Sequence, residues 1–578
     1  MICLRHSPTR SAHWTFAGLL LVVALLSGCG GGSSANSATD PTTPSTPTTP
    51  ATPVAPLMSA NDAARLLDQA TFGVTAGDVT HTQSIGISAY LDEQLATPLT
   101  QYTGYSYTPH TAPSNCVTDP ATPTDASSLC ARDQYTPFRV QRDFFTHALT
   151  ASDQLRQRVA YALSQILVVS SVEIYEAYGL AAYQNILLSD AFGNFRTLLQ
   201  DVTLSPVMGH YLDMVDNDKP NPVNGTTPNE NYAREVLQLF SIGLYELNAD
   251  GTQQLDSTGA PIPTYSQATI EGFSAVFTGW TYPALPGATS KWSNPINFDG
   301  VMVSFADHHD DTDPKPLLNG YTVPPNQSPE QDLANALDNV FNHPNVGPFI
   351  GKQIIQHLVT SNPSPAYVAR VAAVFADDGN GVRGNLAAVV RAILTDTEAR
   401  GDQPAGNEFG RLREPALFIT STLRNLGGQS DGVYLRGASS SMGQPIFSPE
   451  TVFNFYPPSY SIPGTQTLGP EFGIDNAATV LARANFLNTV IMQNGAAPDP
   501  TVAGSTGTGI NLAPFSSTAD PAALIARLNQ ALMHGSLAPD AANVVLGAVK
   551  AVTSTDPTAP ARVAGYLILS SGQYQVER

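Results

Sequence analysis

The stretch Leu155-Arg156-Gln157-Arg158-Val159-Ala160-Tyr161-Ala162-Leu163-Ser164-Gln165-Ile166-Leu167-Val168-Val169 shows the clearest periodic pattern in this chain of 578 residues. Its apolar side chains recur at intervals of three and four, which places them on one face of an α-helix: Leu155, Val159, Leu163, Ile166 and Leu167. Shorter apolar segments of helical character follow at 368–375, 386–394 and 524–532. The pattern therefore predicts a mainly α protein.

Strand signals are few between these segments. One hairpin is predicted at 244–263, where Asn248-Ala249-Asp250-Gly251 supplies turn residues between short apolar segments. Long loops rich in Pro, Gly, Asn and Ser are predicted at 283–326, 427–448 and 496–515. We therefore expect multi-helical globular domains with long irregular loops and at most a small β-hairpin.

The length of the helical part suggests that it is subdivided. About 520 residues are more than one simple hydrophobic core usually holds. We expect a main helical domain at 58–400 and a C-terminal helical subdomain at 401–578 that packs on it.

The N-terminus has the features of a bacterial lipoprotein signal. Arg5 and Arg10 precede an apolar run of about a dozen residues, which is shorter than the roughly 20 residues of a membrane-spanning helix. The run ends in the lipobox Leu26-Ser27-Gly28-Cys29, in which a signal peptidase would cut before Cys29. Residues 1–28 are therefore predicted to be a lipoprotein signal peptide.

Cys29 is the predicted site of lipidation. Acyl chains such as palmitate on its thiol and amine would anchor the protein firmly to a membrane. Gly30 follows Cys29, so the Asp that retains some lipoproteins at the inner membrane is missing. We expect a protein of the bacterial cell envelope that is lipid-anchored at the outer membrane. The alternative is an ordinary cleaved signal in which Cys29 is incidental.

A tether and an acidic body follow the lipobox. Residues 29–57 are nearly all Gly, Ser, Thr, Ala and Pro, a composition that favours an extended chain of about 3 Å per residue.

The formal net charge of the protein is −21, which becomes −23 when the segment that contains Arg5 and Arg10 is removed. No basic cluster remains, so nucleic acid is excluded as a partner.

The remaining cysteines are an even pair. After removal of Cys3 and lipidation of Cys29, only Cys116 and Cys130 are left, at the ends of a short polar loop. A disulfide is predicted, as is usual for exported proteins. Closing a loop of about 15 residues would stabilise the protein by roughly 3 kcal/mol.

The segment Asn229-Glu230-Asn231-Tyr232-Ala233-Arg234-Glu235 is the main candidate for chemistry. Asn229 is a good N-cap, and the spacing of Glu230 and Arg234 predicts a salt bridge across one helical turn. Glu235 would add a second carboxylate to a polar pocket if this face is buried. Glu230, Arg234 and Glu235 are therefore the candidate catalytic residues, and an amphipathic surface helix is the alternative.

A second candidate site lies in a loop rich in His and Asp. The stretch Asp307-His308-His309-Asp310-Asp311 brings together imidazole and carboxylate donors, which suit a divalent metal such as Zn, Mn or Fe. His308, His309 and Asp310 are the candidate metal ligands. A solvated polar loop is the alternative, and no His-Glu-x-x-His motif is present.

Several blocks in a fixed order resemble a known family. They are Ala64-Arg65-Leu66-Leu67, the Asn229 segment with Leu239-Phe240-Ser241-Ile242-Gly243, Phe277-Thr278-Gly279-Trp280, the block at 448–457 and the terminus Gln573-Tyr574-Gln575-Val576-Glu577-Arg578. The chain from residue 60 onward resembles the bacterial domain-of-unknown-function family 1800. The resemblance implies an exported, helical protein without an established activity, often encoded beside an exported sulfatase- or phosphatase-like protein.

Two functions follow from these features. The first is an envelope-anchored lipoprotein that serves as a binding or assembly partner of another exported protein, possessing no chemistry of its own. The second is a metal-assisted hydrolase or other metalloenzyme of the cell envelope, which would use the Asn229 to Glu235 helix and the His308 to Asp311 loop. The two sites must lie within hydrogen-bond or one-water reach of each other for the second function to hold.

Overall fold

Helices make up most of the structure, a computed structural model that describes residues 57–110, 127–404, 406, 408–516 and 520–578. The fold is mainly α, as predicted. The described residues form 22 α-helices: α1 (Ala60–Ala70), α2 (Ala76–Ala96), α3 (Ser127–Tyr135), α4 (Phe138–Thr150), α5 (Gln154–Ile166), α6 (Ala177–Asp190), α7 (Phe195–Thr203), α8 (Pro206–Tyr211), α9 (Asn231–Gln238), α10 (Gln267–Val276), α11 (Pro329–Phe341), α12 (Val346–Leu358), α13 (Pro365–Ala376), α14 (Leu386–Thr395), α15 (Pro415–Asn425), α16 (Val433–Ser441), α17 (Ala477–Leu487), α18 (Ala513–Ser516), α19 (Pro521–Met533), α20 (Pro539–Lys550), α21 (Ala559–Ser570) and α22 (Gly572–Gln575).

Strands are short and occur in antiparallel pairs. In chain order they are β1 (Trp280–Thr281), β2 (Val303–Ser304), β3 (Lys315–Pro316), β4 (Thr322–Val323), β5 (Arg411–Leu412), β6 (Gln429–Ser430), β7 (Thr508–Gly509) and β8 (Val576–Glu577). The pairs are β1 with β2, β3 with β4, β5 with β8, and β6 with β7. Single 3-10 turns occupy Ala306–His308, Leu318–Gly320 and Pro470–Ile474, and a π-helical turn occupies Asn488–Met492.

The helix predicted from the periodic stretch is α5, at the centre of the core. All five apolar side chains predicted for its inner face are buried. The helix ends at Ile166, so the last three residues of the stretch lie beyond it. The opposite face is buried as well, because Gln157 and Arg158 find partners inside the protein: Gln157 donates to the Thr100 carbonyl at 2.8 Å, and Arg158 donates to the His357 carbonyl.

The shorter predicted helices are confirmed as α13, α14 and α19. The loop predicted at 427–448 is wrong in its middle, where α16 forms. Gly432 adopts a left-handed conformation, with φ of 79°, and starts this helix, whose Leu435 and Ser439 are buried. The Gly- and Ser-rich composition hid the helix because tertiary packing of a few residues outweighs weak local propensity.

The hairpin predicted at 244–263 is present as three short extended segments. Isolated bridges join Tyr245 to Pro263, Leu247 to Gln253, and Leu255 to Pro261. Two turns connect them, and in each an Asp side chain accepts the backbone N–H two residues later: Asp250 from Thr252 at 3.0 Å, and Asp256 from Thr258 at 2.8 Å.

The first and last parts of the described chain meet in the core. Strand β8, at the C-terminus, pairs with β5, so that Glu577 lies opposite Arg411. The contacts group the chain from Pro56 to Arg578 into one compact unit. The division into 58–400 and 401–578 stays a prediction.

Candidate functional site

The helix predicted at Asn229 is α9. It begins at Asn231, whose N–H donates to the side-chain oxygen of Asn229 at 2.8 Å. Glu230 and Arg234 form the predicted ion pair, with 2.8 Å between Oε2 and Nη2. Both side chains are well exposed, and a pair of this kind contributes at most about 1 kcal/mol. Glu230 and Arg234 thus lie as expected for an amphipathic surface helix, the alternative considered from the sequence.

Glu235 lies on the other side of α9 and is buried. Its Oε2 has no hydrogen-bond partner among the described residues. Burial raises the pKa of the Glu235 carboxyl, and the nearby charge of Arg234 opposes this only in part. Glu235 therefore lies in an environment that shifts its proton affinity, as is common for groups at functional sites.

His308 is at the surface, at the end of a 3-10 turn. Its ring stacks on Trp292 with 4.0 Å between the ring centroids, and its Nδ1 lies 3.0 Å from Asp218 Oδ2. These contacts join the His308 loop to the segment that precedes α9. They leave His308 facing away from His309, which is buried.

Both ring nitrogens of His309 already have hydrogen-bond partners. Nδ1 lies 3.0 Å from the Thr278 carbonyl, and Nε2 lies 3.0 Å from Asp332 Oδ2. The Nζ of Lys315 is 2.9 Å from the same oxygen. A cation at His309 would have to replace one of these bonds beside a buried ammonium group. In the described parts of the chain, no group of three or more His, Cys, Asp or Glu is arranged to hold a metal ion.

Asp310 completes the predicted ligand set and also has a local role. Its N–H donates to Thr278 Oγ1 at 2.8 Å, and its Oδ1 accepts the Thr312 hydroxyl at 3.0 Å. The three residues therefore do not fit a metal site in this structure, and the metal assignment stays a prediction.

Hydrogen bonds of Asn217 connect the segments that contain the two predicted sites, but they do not join the functional groups of those sites. Asn217 accepts the Asn229 N–H through Oδ1 at 2.7 Å and accepts the Gly279 N–H through its carbonyl at 2.9 Å. Gly279 has φ of 84°, and a Cβ there would lie 3.0 Å from His309 Cβ. Within the residues that the structure describes, no hydrogen bond or ion pair links the candidate catalytic residues of α9 with the candidate metal ligands.

The predicted cysteine sites are mostly beyond the described residues. Cys29 and Cys116 lie outside them, as do the signal peptide and nearly all of the tether. Cys130 is described and buried. The lipid anchor and the disulfide stay predictions.

A cleft that the sequence did not reveal has stronger features of a binding site. We call it the Glu471 cleft. It encloses about 60 Å³, is open to solvent, and is lined by residues of α5 and α12, by the loop at 452–458 and by the start of the 3-10 turn at Pro470–Ile474. Its walls are largely apolar, with Ile166, Leu239, Phe349 and Val452 among them. A concave apolar site with a few convergent polar groups is the usual form of a ligand site.

Two glutamines of α12 supply unused hydrogen-bonding groups to this cleft. Gln353 and Gln356 are both buried, and each has one side-chain atom without a partner among the described residues: Nε2 of Gln353 and Oε1 of Gln356. The amide of Gln356 is oriented by its own Nε2, which donates to the carbonyls of Ser361 and Pro458 at 3.0 Å each. Both atoms are enclosed in the wall of the cleft, so a ligand would reach them only if these side chains turned toward it.

Two titratable side chains at the cleft have altered proton affinities. Glu471 accepts the Ser361 hydroxyl at 2.7 Å and lies 3.8 Å from Arg411, yet burial raises the pKa of its carboxyl to about 7. Burial lowers the pKa of the His357 imidazole to about 4. Near neutral pH the His357 imidazole is therefore neutral, and the Glu471 carboxyl is divided between its protonated and ionised forms.

A network of buried ion pairs, which we call the floor, adjoins the cleft through two contacts: Arg411 lies 3.8 Å from the lining residue Glu471, and Glu414 accepts the hydroxyl of the lining residue Tyr456 at 2.8 Å. Arg411 lies 3.9 Å from Glu414 and 3.3 Å from Glu577, and Arg413 lies 2.9 Å from Asp68. Burial alone would raise the pKa of the Asp68 carboxyl, but Arg413 and His534 bring it well below its ordinary value.

Two of the sequence blocks that resemble the family contain residues of this site, but their patterns did not indicate its position. The blocks at 448–457 and 573–578 contribute Tyr456 to the cleft and Glu577 to its floor. The one signal that could have found the rest is a polar stripe on an apolar helix, because Gln353, Gln356 and His357 recur at helical spacing in α12.

In the described residues, no helix is both long and apolar enough to cross a membrane.

Comparisons with known proteins give one match, to a family model. No curated protein and no solved structure matches the chain. A family model described as protein of unknown function (DUF1800) matches residues 65–576, nearly the whole chain. The chain therefore belongs to this family of proteins of unknown function.

Proposed function

We propose that the chain is an envelope-anchored lipoprotein that binds another exported protein, an extended segment of which lies over the Glu471 cleft and places one side chain or peptide group in it. The lipobox at Leu26 to Cys29 supports the anchor. The tether that follows would extend about 80 Å at about 3 Å per residue, enough to present the helical body to a partner away from the bilayer. The resemblance to the family suggests a sulfatase- or phosphatase-like partner.

The observation on which this proposal rests is the unused donor and acceptor of Gln353 and Gln356. A peptide group presents one carbonyl acceptor and one N–H donor, so it complements Gln353 Nε2 and Gln356 Oε1. Each buried polar atom without a partner costs roughly 1–3 kcal/mol, and a bound main chain would recover that cost. The apolar walls would receive the side chains of the segment.

The rim of the cleft also favours a macromolecular ligand. Phe453 lines the cleft and is 52% exposed. A large aromatic side chain at the edge of an apolar cleft is a typical anchor of a protein interface. The net charge of −21 further favours a partner with a basic face.

The metal-assisted hydrolase has no comparable observation behind it. His309 has both nitrogens in hydrogen bonds, and Glu230 pairs with Arg234 at the surface. Glu235 is buried with a raised pKa, but no hydrogen bond in the described residues connects it to the His308 loop.

A site-specific photo-crosslinker at position 453 tests the proposal. In intact cells we expect it to crosslink to one exported protein, and mapping should place the link in an extended segment of that protein. The same crosslinker at Tyr321, which is 43% exposed and does not line the cleft, is the control. A synthetic peptide of the mapped segment should then bind the purified protein.

Replacing the two glutamines decides whether the cleft itself is responsible. The double variant Gln353→Leu, Gln356→Leu should lose both the crosslink and peptide binding, because the donor and acceptor are removed while the apolar walls remain. If the double variant crosslinks and binds the peptide as the unaltered protein does, or if position 321 gives the same product, the proposal is wrong.

A further inference from the structure

A second groove, which shares no lining residue with the Glu471 cleft, has an unusual concentration of positive charge. Three guanidinium groups surround the ring of Phe138, with their Cζ atoms 4.6, 5.7 and 4.9 Å from its centroid: Arg132, Arg142 and Arg436. The chain has only 27 basic residues and a net charge of −21. Like charges repel at such short range, so this grouping requires compensation.

The carboxylates nearby compensate only part of this charge. Asp133 takes a bidentate position on Arg132, with oxygens 2.6 Å from Nε and 3.0 Å from Nη2, and Asp499 acts on Arg132 from farther away. Arg142 donates to the Asp431 carbonyl, which has no net charge. Among the described residues, three guanidinium groups stand against the paired Asp133 and the more distant Asp499, so an excess of positive charge remains around the ring.

Arg436 is the least satisfied of the three. Its Nη1 lies 3.4 Å from Gln141 Oε1, and its buried Nε has no hydrogen-bond partner among the described residues. No carboxylate of the described residues acts on it. Burial and the charge of Arg132 together lower the pKa of the Arg436 guanidinium.

The groove around these groups is accessible and partly apolar. We call it the Phe138 groove. It is lined by Arg132 and Arg436 together with Val172, Tyr175 and Ser440. Val172 is 65% exposed, Tyr175 is 47% exposed, and the exposed hydroxyl of Ser440 lies on the same helix as Arg436. An anionic group and an attached apolar group would both find contacts here.

We infer that the Phe138 groove binds a phosphate ester, with the phosphate at Arg436 and Ser440 and the organic part against Val172 and Tyr175. A phosphate ester bears negative charge and three terminal oxygens, which suits the positive charge of the groove and the donors on separate side chains. The site is separate from the Glu471 cleft, so it does not depend on the proposed partner.

Isothermal titration calorimetry of the purified full-length protein tests the inference. The probe is inorganic phosphate at constant ionic strength, and one saturable site is expected. Arg436→Gln should weaken binding at least about tenfold, because it removes a charge-assisted hydrogen bond. Arg139→Gln is the matched control, since Arg139 is on α4 but bonds to the Gly104 carbonyl outside the groove. Its affinity for phosphate should be unchanged.

Two further probes define the ligand. Phenyl phosphate should bind more tightly than inorganic phosphate because Val172 and Tyr175 would contact the ring, and acetate should bind more weakly than either. Absence of saturable phosphate binding, or equal binding by Arg436→Gln, would overturn the inference. Acetate binding as tight as that of phosphate would overturn the assignment to phosphate. Equal affinity for both phosphates would overturn the ester.

Discussion

Replacing Gln353 by Leu should make the protein more stable while abolishing ligand binding. Gln353 is 8% exposed, and its Nε2 is buried without a hydrogen-bond partner among the described residues. Leu has a similar volume and needs no hydrogen bond. The substitution removes a penalty of roughly 1–3 kcal/mol, so we expect the free energy of unfolding to rise by about 1–2 kcal/mol.

The expected change in melting temperature follows from the size of the protein. An unfolding entropy of about 2.1 cal/mol/K per residue gives about 1.1 kcal/mol per degree for about 520 residues. A gain of about 1–2 kcal/mol therefore raises the Tm by only about 1–2 °C. Differential scanning calorimetry and urea midpoints, measured side by side on both proteins, resolve a shift of this size.

Gln444→Leu is the matched control, with the opposite sign. Gln444 is also buried, but its Oε1 accepts the Ala416 N–H at 2.9 Å and its Nε2 donates to Glu414 at 2.6 Å. The same substitution there leaves a buried carboxylate less well bonded and should cost about 3–5 kcal/mol. If Gln353→Leu lowers the Tm as Gln444→Leu does, its amide has a partner and the reasoning fails.

Three further predictions concern pH, metal and the membrane. Because the pKa of Glu471 is raised from 4.5 to about 7, the folded protein holds a proton that the unfolded chain releases. Its stability should fall by up to about 3 kcal/mol as the pH rises from 5 to 8, and a urea titration of Glu471→Gln should lack this part of the loss. His309→Ala should lower the Tm, because the ring forms hydrogen bonds with Asp332 and the Thr278 carbonyl. Its metal content, measured by mass spectrometry, should equal that of the unaltered protein. Stoichiometric metal that is lost in both His309→Ala and Glu235→Ala would instead support the metalloenzyme. Cys29→Ser should move the protein from the membrane to the soluble fraction, and a variant that still sediments with membranes would rule out the lipid anchor.

The sequence predicted the helices best where tertiary structure agreed with local pattern. The face of α5 was correct because its five apolar residues meet the same core from one side. The burial of Arg158 on the opposite face could not be predicted, since it depends on His357, about 200 positions further along the chain. Helix α16 was missed because only its packing, and not its Gly- and Ser-rich composition, favours a helix.

The site was less predictable than the fold for the same physical reason. Glu230 and Arg234 are four residues apart, so their ion pair follows from helix geometry alone. Glu471 has an unusual environment because α12, β5 and its own 3-10 turn come together around it. No local pattern shows which of the 48 acidic residues will be buried.

The floor of the Glu471 cleft depends on both ends of the described chain. Asp68 comes from α1, Glu577 comes from β8, and both pair with the segment from Arg411 to Glu414. Arg413 lies between them, 2.9 Å from Asp68 and 3.6 Å from Glu577. Ion pairs so deeply buried add little net stability, but removing one member leaves an uncompensated charge that costs several kcal/mol. Removal of the first helix or of the final strand would therefore leave Arg411 or Arg413 without a carboxylate partner in the core beside the cleft.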